Sequence, residues 1–263
     1  MDLSINGKNA LIFGASRGIG NGIAKQLAKE GVNLFLIARS GNKLVSLKEK
    51  LIKEHGITVN FLQIDIGQKN AVNIITAKLK ELKINIDILV NISGGPKSAD
   101  ILSLSSTDYL NHFNEMISIF IDLTNQLIEP MISNNWGRII TITSSGVYQP
   151  IPDLAISNML RSALTSWSKT LANRIAPFGI TVNTLVPGRI ATERLESIDK
   201  QRAKRWDISI EEVKNENHKW IPLNRDGSID EISAVAVFLA GKPASYLTGN
   251  NIRVDGGLIK STL

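Results

Sequence analysis

The residues Gly14-Ala15-Ser16-Arg17-Gly18-Ile19-Gly20 form a glycine-rich turn between the apolar run Ala10–Phe13 and the helix-like segment Ile23–Glu30. A strand, a glycine turn and a helix together bring backbone N–H groups and a helix N-terminus up to a phosphate, so the turn predicts a bound dinucleotide. Its spacing is G-x-x-x-G-x-G rather than the G-x-G-x-x-G fingerprint, and it also fits a plain strand–helix connection with glycines at positive φ. An NAD site commonly places an acid at the end of the second strand, where it bonds the ribose 2′-hydroxyl. This chain has Ala38-Arg39-Ser40 there. Arg39 cannot accept a hydrogen bond, but it can pair with a 2′-phosphate, and Arg17 can join it. Both favour NADP(H), with NAD(H) as the alternative. Asp65, in Gln63-Ile64-Asp65-Ile66, either accepts from an adenine amino group or caps a helix starting near Gln68. Ile66 is placed in the same site.

Other chemistries find little support. His55, His112 and His218 have no metal-ligand spacing and the chain has no cysteine, so no metal site is expected. Ser144 or Ser157 as a hydrolytic nucleophile would need a base, and neither a nearby histidine nor a G-x-S-x-G elbow is present. Lys200, Arg202, Lys204 and Arg205 form a basic cluster. It reads as a contact for an acidic carrier protein or a coenzyme A phosphate, or more simply as a solvated helix face balanced by Glu211 and Glu212.

The elements that would position these groups alternate along the chain. Asn33–Ala38, Thr58–Gln63, Ile86–Asn91, Arg138–Thr143, Thr181–Val186 and Asn251–Val254 read as short buried strands. Helical spacing runs through Lys43–Glu54, Ala71–Leu82, Asp108–Ser133, Leu160–Ile175 and Ile229–Leu239. The alternation predicts one α/β unit over residues 1–263, a doubly wound parallel sheet with helices on both faces. Residues 189–222 break the rhythm. They are charged, partly helical, and leave the carboxyl edge of a strand, where ligands of such sheets bind. They read as a substrate lid or as a surface excursion.

Composition is that of a globular chain: 263 residues, 43% hydrophobic and 21% charged. The net charge of +6 is spread among mixed acids and bases, with no basic stripe carrying interleaved aromatics, which argues against nucleic-acid binding. It does favour anionic ligands. No signal-peptide pattern is evident, and no apolar run approaches the ~18–20 residues of a membrane span. A cytoplasmic protein acting away from the membrane is expected.

Taken in order, the motifs resemble the short-chain dehydrogenase/reductase family, particularly its members similar to 3-oxoacyl-acyl-carrier-protein reductases. The glycine turn looks like that family's cofactor turn. Asn91-Ile92-Ser93-Gly94 sits where the family has Asn-Asn-Ala-Gly, and Gly137 to Ser145 looks like the strand that ends in the active-site serine. Gly179-Ile180-Thr181-Val182-Asn183, Val186-Pro187-Gly188, Tyr246-Leu247-Thr248-Gly249 and Val254-Asp255-Gly256-Gly257 follow. The resemblance implies a Rossmann-like sheet of about seven strands, a carbonyl or alcohol substrate, and a homotetramer or homodimer. It adds Asn91, Gly94, Pro187, Gly188, Ile190 and Thr192 to the cofactor residues Gly14, Ser16, Arg17, Gly18, Ile19, Gly20, Arg39, Asp65 and Ile66.

The resemblance also exposes a departure. The family's catalytic group is Asn, Ser, Tyr and Lys. Here Ser144 fits the serine, Ser157 falls on the tyrosine, Arg161 on the lysine and Met116 on the asparagine. A phenol titrates near pH 10, whereas an aliphatic hydroxyl is a far weaker acid. Arg161 cannot relay a proton, but it can reach a ribose hydroxyl or stabilise developing negative charge. Tyr148 is the nearest substitute acid. It otherwise lines the substrate pocket or packs on the surface. Two functions remain open: an NADP(H)-dependent oxidoreductase with an atypical site, similar to 3-oxoacyl-thioester reductases, or an NADP-binding sensor or partner subunit of little activity.

Overall fold

The structure is a computed structural model that describes residues 1–262. Its centre is a seven-stranded sheet of β1 (Asn9–Phe13), β2 (Asn33–Ala38), β3 (Val59–Gln63), β4 (Ile88–Asn91), β5 (Gly137–Ile142), β6 (Ile180–Pro187) and β7 (Asn251–Val254). All neighbours are parallel, in the order β3-β2-β1-β4-β5-β6-β7. The chain reverses its winding between β1 and β4, which opens a crevice at their carboxyl ends.

The strands are apolar on both sides because helices cover both faces. On one face Ile12, Leu34 and Leu36 meet α1 (Gly18–Lys29), α2 (Gly41–His55) and α9 (Ile229–Ala240), through residues such as Ile23, Leu44 and Ile232. On the other, Leu11, Phe13 and Phe35 meet α3 (Ala71–Glu81), α5 (Ile119–Ser133) and α6 (Ala155–Ile175), through Ile75, Phe120 and Leu160. The period-2 alternation of strands thus feeds two cores from one sheet. Phe13 and Phe120 seal the second with an edge-to-face contact, ring centroids 5.3 Å apart.

The helix read over Asp108–Ser133 is not uniform. It comprises α4 (Ser106–Phe113), a π-turn at Asn114–Ser118, and α5. Within the π-turn Met116 is buried in the second core while Asn114 is exposed. The first helix begins at Gly18, inside the glycine turn, earlier than its apolar periodicity indicates. The third begins at Ala71, so Asp65 does not cap it; the Asp65 carboxylate accepts from the Gly67 N–H at 3.0 Å and closes a local turn.

Residues 189–222 carry α7 (Glu193–Trp206) and α8 (Ile210–His218). The Ser209–Glu212 capping box starts α8. The segment is tied down at its root. Arg189 donates to Asp199 at 3.1 and 2.7 Å and to Asp226 at 2.9 Å, and Asp199 is 1% exposed. Breaking such a buried pair leaves an uncompensated charge. Asp199→Ala is therefore expected to cost about 3–5 kcal/mol, read as a lower urea midpoint, with proteolytic nicking in 189–222 preceding cleavage elsewhere.

Candidate active site

Two adjoining cavities lie at the carboxyl edge of the sheet. The first, about 410 Å³, is lined by the glycine turn, the ends of β2, β3 and β4, and the start of α7. Gly14 and Gly18 have φ of +62° and +57°, a region that disfavours side chains. A Cβ on Gly20 would stand 2.6 Å from the Gly14 carbonyl oxygen. Glycine is thus required for α1 to start directly beneath the turn. Arg17 supplies no side-chain cap to α1, so the first-turn N–H groups remain available to an anion.

Gly14, Ser16, Arg17, Gly18, Ile19, Gly20, Arg39, Asp65, Ile66 and Gly94 all line this cavity. Asn91 does not. It is fully buried in β4 and donates to the Thr141 hydroxyl at 3.3 Å. The buried Ser93 hydroxyl lines the cavity and has no hydrogen-bond partner among the described residues. A glycine cradle, free helix amides and an orphaned hydroxyl at the switch point fit a dinucleotide. Arg39 stands 3.9 Å from Asp65, and both side chains are more than half exposed. Arg17 donates to Glu193 at 2.9 Å and Lys43 lies 3.6 Å from the same carboxylate. The Arg17 hydrogen bond, then the charge of Lys43, hold Glu193 below the usual carboxylate range. This exposed cluster is weak enough for a phosphate to replace Glu193.

The second cavity, about 580 Å³, lies between the β5 and β6 ends, α7, and the C-terminal stretch Leu258–Lys260. Ser144, Ser157, Gly188 and Ile190 line it. Arg161, Pro187, Thr192 and Arg194 line both cavities and form their common wall. The Thr192 hydroxyl also accepts from Leu195 N–H and caps α7.

Arg161 and Ser157 are one helical turn apart on α6, and both are buried. The Arg161 Nε donates to the Ser157 Oγ at 3.2 Å, Nη1 to the Ile142 carbonyl at 2.9 Å, and Nη2 to the Ser93 and Gly94 carbonyls at 3.4 Å each. No carboxylate among the described residues pairs with it. Burial, and then repulsion from Arg194, push its pKa down to about 10. It remains a cation at neutral pH, anchored by carbonyls at the ends of β4 and β5. The Ser144 Oγ accepts from the Gly146 N–H at 3.1 Å, which leaves its hydroxyl proton free to donate.

Tyr148 lines neither cavity. Its half-buried ring packs beneath the Arg253 guanidinium, 5.6 Å from the ring centroid. Of its sequence readings, packing against the protein surface matches this position and lining of the two cavities does not. The basic cluster on α7 also divides differently from its solvated-face reading. Lys200 pairs with Glu196 and Arg205 with Asp153, while Arg202 turns into the second cavity. Glu212 serves Ser209 rather than balancing these cations.

Sequence reasoning missed Arg194, Trp220 and Ile259 on the second cavity, and Glu115 on the first. The inward face of α7 was legible, because Leu195, Ile198 and Arg202 recur at helical spacing. Glu115 was not, since the π-turn shifts its register.

Among known proteins, the family described as enoyl-(acyl carrier protein) reductase matches residues 14–259. The NADPH-dependent reductase BacG of Bacillus subtilis (strain 168) is 33% identical over 257 residues, covering 97% of this chain and 98% of its own. The 3-oxoacyl-acyl-carrier-protein reductase FabG of Buchnera aphidicola (subsp. Acyrthosiphon pisum, strain APS) is 32% identical over 260 residues, 97% and 99% of the two chains. The crystal structure of L-sorbose reductase from Gluconobacter frateurii, complexed with NADPH and L-sorbose, superposes with a TM-score of 0.93 at 29% identity, covering 99% of this chain and 100% of that one.

Proposed function

The chain belongs to the short-chain dehydrogenase/reductase family, and on that premise we propose that it is an NADP(H)-dependent oxidoreductase acting on a carbonyl/alcohol pair. The observation that carries this reading is the pairing of the glycine cradle with a second cavity through one shared wall, where the buried Arg161 stands. Several relatives of the same fold are described with NADPH, which supports NADP(H) as the cofactor.

The first-turn amides of α1 and the glycine turn would hold the pyrophosphate and Arg39 the 2′-phosphate, with Asp65 and Ile66 toward the adenine and Pro187 and Thr192 toward the nicotinamide half. When bound, such a cofactor would supply a hydride. Ser144 donates its free hydroxyl proton in a hydrogen bond to the substrate oxygen. Ser157, whose oxygen is occupied by Arg161, donates alongside it. The Arg161 cation stabilises the negative charge that the oxygen gains, as preorganised donors do. No phenol among the described residues lines the site to act as general acid, so the proton comes from water entering the cavity. A positioned acid contributes about 10²–10⁴-fold, so turnover is slow beside an enzyme that has one. The residues 189–222 act as the lid, and a homotetramer or homodimer is the assembly.

The same Ser157/Arg161 pair favours a second reading, an NADP-binding sensor or partner subunit. Consumption of NADPH by the purified protein over small ketones, 2-oxo acids, sugars and acyl thioesters separates the two. The oxidoreductase reading expects turnover of at least one class, reduced in Ser144→Ala. Tight NADPH binding without turnover of any class supports the second.

A further inference from the structure

The second cavity is unlike the first in charge. Asp65, Glu115 and Glu193 line the cofactor cavity, but no Asp or Glu lines the second among the described residues. Five cations do: Arg161, Arg189, Arg194, Arg202 and Lys260. Arg189 is neutralised from behind by Asp199 and Asp226, and Lys260 lies over the Trp220 ring at 5.2 Å. Arg161 is engaged at the reacting end. Arg194 and Arg202 are left, about two turns apart on the inward side of α7, and neither forms an ion pair among the described residues.

We propose that the substrate carries a carboxylate, bound in this cavity by Arg202 with Arg194; the assignment rests on the oxidoreductase reading above.

Arg202 is held for such a role. Its Nη1 donates to the Asn217 Oδ1 at 3.2 Å, and Asn217 is oriented by its own bond to the Val213 carbonyl at 2.6 Å. Trp206 flanks the guanidinium, its ring centroid 5.9 Å from Cζ. The Nε and Nη2 of Arg202 have no protein acceptor among the described residues, and together they present the fork that matches a carboxylate. Arg194 uses one nitrogen on the Pro96 carbonyl at 2.6 Å, which fixes it across the mouth between the cavities. Burial holds both guanidiniums below their ordinary range, and the neighbouring cations Arg17, for Arg194, and Arg189, for Arg202, add to this. An anion bound here relieves both.

Much of the rest of the wall is apolar, through Ile151, Pro152, Leu195, Ile198, Trp220 and Ile259. The chemistry that fits is a small acid with a hydrophobic body. Its carbonyl faces Ser144 and Arg161, and its carboxylate faces α7.

Calorimetry on the NADP⁺-loaded protein tests this with phenylglyoxylate and 4-methyl-2-oxopentanoate against their methyl esters. The acids are expected to bind more tightly than the esters by about tenfold or more, the worth of a charge-assisted hydrogen bond. Arg202→Gln should remove that preference, Arg202→Lys should restore part of it, and NADP⁺ affinity should stay unchanged. Esters binding as well as acids, no measurable binding of either acid, or an acid preference that survives in Arg202→Gln would overturn the proposal. The wild-type comparison stands even if the variant folds poorly. The two readings fail separately: acids bound but never reduced keep the carboxylate site and remove the oxidoreductase, whereas esters reduced as readily as acids do the reverse.

Discussion

Arg161→Met is expected to lower kcat for NADPH-linked reduction by about 10²–10³-fold, the usual effect of removing one preorganised donor from a developing oxyanion. The guanidinium is buried, has no carboxylate partner among the described residues, and is held by main-chain carbonyls and the Ser157 hydroxyl. A charge kept there for stability alone would be a poor choice, because no opposite charge among the described residues offsets its desolvation and a well-packed apolar residue often serves as well or better. The variant should therefore melt within a few degrees of the parent, or above it, while its rate collapses. Arg161→Lys keeps a cation but loses the fork that spans Ser157 and the Ile142 carbonyl, and should recover only part of the rate. A melting temperature that falls together with kcat would point to a structural role. Equal rates in parent and Arg161→Met would remove Arg161 from the chemistry.

Arg39→Glu should reverse the cofactor preference. Charge-assisted bonds to a phosphate are worth about 1.5–3 kcal/mol, or roughly 10- to 150-fold in Kd. NADPH should weaken by at least that much, since the new carboxylate also repels the 2′-phosphate beside Asp65. NADH should hold or gain affinity, because glutamate can accept from a 2′-hydroxyl. Arg39 is well exposed, so the NADPH preference of the parent should shrink with added salt. Fluorescence titration of both cofactors against parent and variant reads this directly. An unchanged ratio of the two affinities would move 2′-phosphate recognition to Arg17 and Lys43, the cations that Glu193 now bridges.

The sheet was legible because each strand is a short apolar run with covers on both faces, and the period-3.6 helices between them leave only a parallel, doubly wound arrangement. Boundaries shifted where local geometry overrides periodicity. The first helix starts at Gly18 because glycines allow the chain to turn and coil at once. The long helix breaks at Asn114–Ser118, a change of hydrogen-bond register that no residue type announces. The lining of the first cavity was legible for the same reason as the sheet, since its residues follow strand ends in sequence. The exception is Asn91, whose side chain turns into the sheet toward Thr141. The second cavity was harder. Its walls come from α7, the 149–154 loop and residues 258–260, and only the folded chain brings these together. Tyr148 packs against Arg253, far along the chain on β7, a contact that no local spacing announces.

The most direct test of the account follows the hydride itself. NADPH carrying deuterium at the transferring position is incubated with small ketones, 2-oxo acids, sugars and acyl thioesters, and the products are read by mass spectrometry. The account predicts deuterium on the carbinol carbon of at least one product, with the transfer largely lost in Arg161→Met. NADPH bound tightly with no label leaving it, or label transfer indifferent to Arg161, would contradict it.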